Sequence, residues 1–266
     1  MKKGSYRHRA FLFVFAIAFI AAPLASAQSR FDGTWRINYD ESTPPDKPNT
    51  YLLQNGMFEC SCVPPLHVKA DGTDQPAPGH AGFDTVNVRE LSPSSVTLTE
   101  KKSGKLVYDA TLVVDDSNSL TVKAVEYPPN SPEPVTIQTT STRVATAPAG
   151  ANEISGAWHF SKRHDSENGL LITLRTNGDG LDMSDPIGES YSAKFDGKDY
   201  PVTGVEGNVT VLLQRSDEST IEFTFKRDGR AYLVRTVTVS ADGSKMTGVS
   251  KNLQTGATSV SVLDKQ

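Results

Sequence analysis

The chain has little of what usually announces chemistry. Its 266 residues include two cysteines, two tryptophans, four methionines and five histidines. Two cysteines are too few for a disulfide framework. No Gly-rich phosphate loop, strong metal-ligand spacing, nucleophile–base pair or paired-carboxylate motif occurs, which argues against an enzyme and calls for no cofactor and no metal. Past the first residues there is no basic run, and 27 Lys and Arg stand against 31 Asp and Glu. A net-acidic chain of this kind is a poor partner for nucleic acid or an anionic membrane surface. Nor is there a long amphipathic helical pattern after the N-terminal segment.

One long apolar run is present, at the start. MKKGSYRHR is basic, AFLFVFAIAFIAAPL is apolar, and ASA precedes Gln28, the order of a secretory signal peptide with its small-residue cleavage site. The apolar stretch falls short of the ~20 residues that span a bilayer. The expectation is a signal peptide at 1–27, no integral membrane segment after its removal, and a periplasmic or secreted protein. With no cysteine after the cleavage site, a lipid anchor is not expected. Loss of Lys2, Lys3, Arg7 and Arg9 takes the formal net charge from −4 to −8.

What the chain has in quantity is repetition. DGTDQPAPG begins at Asp71 and DGKDYPVTG at Asp196, 125 residues later. The same offset carries Val96 and Gly104 of SVTLTEKKSGK onto Ile221 and Gly229 of STIEFTFKRDGR. FDGTW and ISGAW pair Trp35 with Trp158 at an offset of 123. Ordered landmarks at near-constant spacing mark a duplication. ATAPAGANE between the copies reads as a short linker. The expected organisation is repeat 1 at 28–147, a linker at 148–151 and repeat 2 at 152–266.

Each copy reads as short strands. Ile221, Phe223 and Phe225 alternate with polar neighbours, as do Leu106, Tyr108, Ala110, Leu112 and Val114, the period of a half-buried strand. Asp228–Gly229, Asp242–Gly243, Ser103–Gly104 and Ser117–Asn118 suit the turns between them. The fold class expected is all-β: two tandem antiparallel meander β-barrels of about eight strands each, closed because closure removes exposed edges. The DG-x-D-x-P line then reads as a structural corner.

Gly33-Thr34-Trp35 and Gly156-Ala157-Trp158 each stand at the head of a repeat, as the G-x-W motif does in lipocalins. With the DG-x-D-x-P line, the chain resembles exported, often duplicated bacterial proteins with lipocalin-like modules. The resemblance implies that each tryptophan closes one end of a barrel and that a basic side chain of the last strand packs over it. Arg143 and Lys265 stand in the right places. The modules are short for lipocalins and show no C-terminal helix.

Several residues remain as candidates. Cys60 and Cys62 in FECSCVPPLH read as a disulfide, as a metal site with His67 and His80, or as two separate thiols. Ser161, His164 and Asp165 have the residue types of a hydrolase triad, and Asn177–Asp185 offers oxygens without EF-hand spacing; both read as polar turns. The offset aligns Leu233, Arg235, Val237 and Val239 with Tyr108, Ala110, Leu112 and Val114, which turns Arg235 toward the second barrel's interior. There it must be paired, reach water or meet a ligand. Phe223, Phe225, Arg235, Leu98 and Tyr108 are the expected ligand-lining residues. The functional expectation is an exported binding protein holding a small apolar ligand in a barrel. The alternative is a non-enzymatic structural or interaction module of the cell envelope, its protein partner unknown, and an enzyme with a dispersed site ranks last.

Overall fold

Alternation builds the strands. In the stretch Thr220–Arg227, Ile221, Phe223 and Phe225 are buried while Glu222, Thr224 and Lys226 stand between them, partly exposed. Asp228 and Gly229 then take φ of 50° and 76°. Two consecutive left-handed residues make the two-residue hairpin turn whose twist matches that of the strands it joins. The equivalent turn in the first copy is Ser103–Gly104, with φ of 51° and 77°.

The computed structural model describes residues 29–116, 119–205 and 207–266. The expected signal peptide at 1–27 and the expected turn at Ser117–Asn118 lie outside the described residues. From repeat 1 come β1 (Gly33–Thr43), β2 (Asn49–Gln54), β3 (Met57–Cys60), β4 (Leu66–Lys69), β5 (Asp71–Pro76), β6 (Thr85–Ser92), β7 (Ser95–Lys102), β8 (Lys105–Asp116), β9 (Ser119–Glu126) and β10 (Val135–Ala145). From repeat 2 come β11 (Gly156–Asp165), β12 (Leu171–Asn177), β13 (Gly180–Ser184), β14 (Ser190–Lys194), β15 (Tyr200–Pro201), β16 (Val209–Arg215), β17 (Thr220–Arg227), β18 (Arg230–Val239), β19 (Lys245–Asn252) and β20 (Thr258–Lys265). A single short 3-10 turn at Glu167–Gly169 separates β11 from β12.

These strands form two nearly closed, antiparallel, ten-stranded sheets. The all-β barrel architecture is therefore present, but with ten strands in each sheet and not about eight. Part of the difference lies at 49–76, where four strands of four to six residues succeed one another. Asn55 and Gly56, both left-handed, split the first pair, and such short pieces leave too little alternation to read in the sequence.

A second feature, an exchange of strands, leaves the count at ten in each sheet. The first barrel runs β4-β3-β2-β11-β10-β9-β8-β7-β6-β5, and the second β14-β13-β12-β1-β20-β19-β18-β17-β16-β15. The opening strand of each repeat thus lies in the other repeat's sheet: β1 between β12 and β20, and β11 between β2 and β10. The cores follow. Phe31 and Trp35, from repeat 1, are fully buried among Leu174, Val211, Ile221 and Leu263, while Ile154 and Trp158, from repeat 2, are buried among Leu53, Phe58, Val88 and Leu120. Where the crossing strands pass, the Tyr39 hydroxyl donates to Asp165 at 2.8 Å and Arg36 pairs with Glu167 at 3.0 Å.

The repeated DG-x-D-x-P line is a corner in both copies. Asp71 accepts hydrogen bonds from the backbone N–H and hydroxyl of Thr73, and Asp196 accepts one from the backbone N–H of Lys198. The second aspartate of each line pairs with a lysine two strands on: Asp74 with Lys101 at 2.7 Å and Asp199 with Lys226 at 2.8 Å. Those lysines are themselves 125 residues apart, so the duplication preserved the pair along with the turn.

Candidate functional site

The two tryptophans are fully buried, one in the core of each barrel. Trp35 donates its indole N–H to the Phe31 carbonyl and Trp158 to that of Ile154, each at 2.8 Å. The Lys265 ammonium lies 5.1 Å from the Trp35 ring centre, and the Arg143 guanidinium 4.0 Å from that of Trp158. Because the strands are exchanged, each cation covers the tryptophan of the other repeat. A cation over an indole face contributes about 0.5–2 kcal/mol. The glycines of G-x-W follow from this packing. Gly33 and Gly156 have φ of 139° and 127°, and a Cβ there would lie 2.7 Å from Lys265 Cε and 2.5 Å from the Ala145 carbonyl oxygen.

The lumen of the second barrel holds a cavity of about 200 Å³. Its apolar wall includes Ile37, Ile172, Phe223, Phe225, Met246 and Leu263. Ile37 reaches it only because β1 is exchanged into this sheet. Into the same space turn Arg235 from β18, Tyr191 from β14, and Asp185 and Glu189 from the β13–β14 turn. Arg235 is the cross-strand neighbour of Phe223 on one side and Ser250 on the other. Its Nε donates to the Ser250 hydroxyl at 2.9 Å, and among the described residues it has no ion pair. Burial lowers its pKa, and the nearby Tyr191 and Glu189 act in the opposite direction; an arginine remains charged throughout. Arg235 also lines a separate cleft of about 500 Å³, where Pro45, Lys47, Cys62 and Asn252 stand.

Tyr191 and Glu189, in the same lumen, are as loosely engaged. Tyr191 is only 7% exposed, and among the described residues its hydroxyl has no hydrogen-bond partner. Burial raises its pKa. Burial also raises that of Glu189, Asp185 adds to the effect, and Arg235 opposes it. Asp185 is committed to its own turn, accepting the Glu189 backbone N–H at 2.9 Å; burial nonetheless raises its pKa against that hydrogen bond. Arg235, Glu189 and Tyr191 thus lie within reach of one another's charge, and none is hydrogen-bonded to another.

The remaining candidates are placed elsewhere. Leu98 and Tyr108 belong to the first barrel, Leu98 in its core and Tyr108 beside Glu100, and neither lines the second barrel's cavity. Cys60 and Cys62 are joined in a disulfide. His67 pairs with Glu59 at 2.9 Å, His80 stacks on Phe83 with ring centres 4.4 Å apart, and no cluster of metal-ligating side chains occurs among the described residues. Ser161, His164 and Asp165 are not brought together. The Ser161 hydroxyl donates to the Thr140 carbonyl, and His164 is exposed while its neighbour Asp165 is buried and bound by Arg163 and Tyr39. A further cleft, about 420 Å³, lies at the junction of the barrels and includes Tyr39, Tyr51, Trp158 and Arg163. Its arginine is already held by both Asp165 oxygens, at 2.8 and 3.0 Å, which makes the lumen the better candidate.

Sequence reasoning passed over Tyr191, Glu189 and Ile37, and read Asp185 only as the end of a polar turn. A signal for Tyr191 exists: the 125 offset aligns it with Leu66, so an inward aliphatic position in one copy carries a phenol in the other. No helix among the described residues is long and apolar enough to cross a membrane. Set against known protein families, curated proteins and solved structures, the chain matches none of them.

Proposed function

We propose that the chain is an exported, lipocalin-like carrier, periplasmic or secreted, that holds one small apolar molecule in the lumen of its second barrel. The observation that carries this reading is the cavity of about 200 Å³ walled by Ile37, Phe223, Phe225 and Met246, with a few polar groups turned into it. An apolar pocket with sparse convergent polar groups is the usual form of a small-molecule site. The volume is below the ~300–1,000 Å³ of pockets for drug-sized ligands, so the ligand is a smaller one. The G-x-W strands with their covering cations support the lipocalin-like relationship.

Gly248 offers the test. It lines the cavity, and a Cβ there meets Arg235 and Val237 at ordinary contact distances of 3.6 Å. Gly248→Leu fills the lumen while the strand persists. Native mass spectrometry of protein purified from its own host's envelope is expected to show an added mass that denaturation removes, and the same preparation of G248L to lack it. A bare wild-type mass, or a G248L protein that keeps the adduct, counts against the reading.

A further inference from the structure

The polar groups in the lumen specify more than a small apolar ligand. Three side chains from three places in the second barrel converge there: Arg235 from β18, Tyr191 from β14 and Glu189 from the turn before it. Arg235 is anchored through Nε to the buried Ser250 hydroxyl, which leaves its two terminal nitrogens without a partner among the described residues. The Tyr191 hydroxyl, on a side chain more than nine-tenths buried, has none either. Both groups keep surface open to the cavity they line, where water or a ligand meets them.

The balance of charge decides what kind of head group fits. A purely anionic head drawn to Arg235 also meets Glu189, with Asp185 on the same wall. A purely cationic head drawn to the acids meets Arg235. A head without net charge that carries an acceptor beside a donor satisfies all three groups together. Its acceptor takes hydrogen bonds from Arg235 and Tyr191, and its donor gives one to the Glu189 carboxylate.

The first barrel lacks this set. The offset places Ala110 opposite Arg235 and Leu66 opposite Tyr191, and the residue opposite Glu189 is Pro64. None of the three has a polar side chain. The convergence therefore belongs to one copy and is not a requirement of the shared fold.

We infer that the second barrel takes a small apolar molecule with an uncharged head group offering both acceptor and donor, of which a primary amide is the simplest example. The inference rests on the lumen being a ligand site, and the test separates the two. Hexanamide, hexanoate and hexylamine, which share a six-carbon chain, are titrated calorimetrically into the purified protein at pH 7. Hexanamide is expected to bind at least tenfold more tightly than either charged probe. Glu189→Gln, which keeps the size of the side chain and removes its charge, is expected to raise hexanoate affinity at least tenfold. Arg235→Gln is expected to weaken hexanamide and hexanoate alike. Hexanoate binding the wild-type protein as tightly as hexanamide, or an order of preference unchanged in folded E189Q, overturns the head-group inference and leaves the carrier reading in place. Binding of none of the probes to wild type or to E189Q overturns both.

Discussion

At the scale of single residues, the two copies differ most informatively where they point inward. Across β7, β8 and β9 the first barrel sets Glu100, Tyr108 and Glu126 side by side, where the second has Phe225, Leu233 and Asn252. The direction of Arg235 was legible from the 125 offset, because its strand aligns with one whose inward face is apolar. The surroundings of Tyr108 were not, since Glu100 and Glu126 come from the strands before and after it and only the register sets them at its sides. Burial, with the charge of Glu126, pushes the Glu100 carboxyl up to about 7. The folded pKa then exceeds the ordinary unfolded value of ~4.3, so the native state holds more protons between the two. Stability from this group is intact below about pH 4 and is lost as pH rises through 7. Thermal unfolding of the wild-type protein is therefore expected at lower temperature at pH 8 than at pH 5. Glu100→Gln should narrow that difference and stabilise the protein at pH 8. An equal gap in E100Q and wild type would show that Glu100 does not titrate this way.

At the scale of elements, the long hairpins were readable and the short strands were not. β17 and β18 declare themselves by alternation on both sides of Asp228–Gly229, a turn with a sequence signature. The run from β2 to β5 has no such length. The G-x-W strands show a third case: their identity was readable and the reason for their glycine was not. Both glycines have positive φ, so an added side chain strains the backbone at either site, by roughly 1–3 kcal/mol. The neighbours differ. At Gly33 the new Cβ meets the flexible end of Lys265, and at Gly156 it meets the backbone oxygen of Ala145 and the Arg143 guanidinium. A lysine side chain swings aside more cheaply than a strand moves. Gly156→Ala is accordingly expected to lower the free energy of unfolding in urea by more than Gly33→Ala does, and equal losses would mean that the close approach at Ala145 is not a constraint.

At the scale of the whole molecule, the exchange of β1 and β11 is the feature that the repeats conceal. Both strands carry G-x-W, both begin with the same indole-to-carbonyl hydrogen bond, and both set the tryptophan opposite a basic residue of the adjacent strand, so either fits either slot. An offset that equates the two sequences cannot say which sheet each one enters. The consequence is mechanical. Each barrel's core contains the other repeat's tryptophan, and unfolding of either repeat withdraws an interior strand from the sheet of the other. Removing such a residue from a core costs about 3–5 kcal/mol, and here the cost of withdrawing a whole strand falls on both barrels. The two barrels are therefore expected to unfold in one transition. Trp35→Phe leaves Trp158 as the reporter of the first barrel, and Trp158→Phe leaves Trp35 as that of the second. In each variant the fluorescence transition in urea should coincide with that of the far-ultraviolet circular dichroism, which averages over both sheets. A fluorescence midpoint displaced from the dichroism midpoint in either variant would mean that each barrel holds together after its neighbour has come apart, and that the exchanged strands leave without taking their hosts with them.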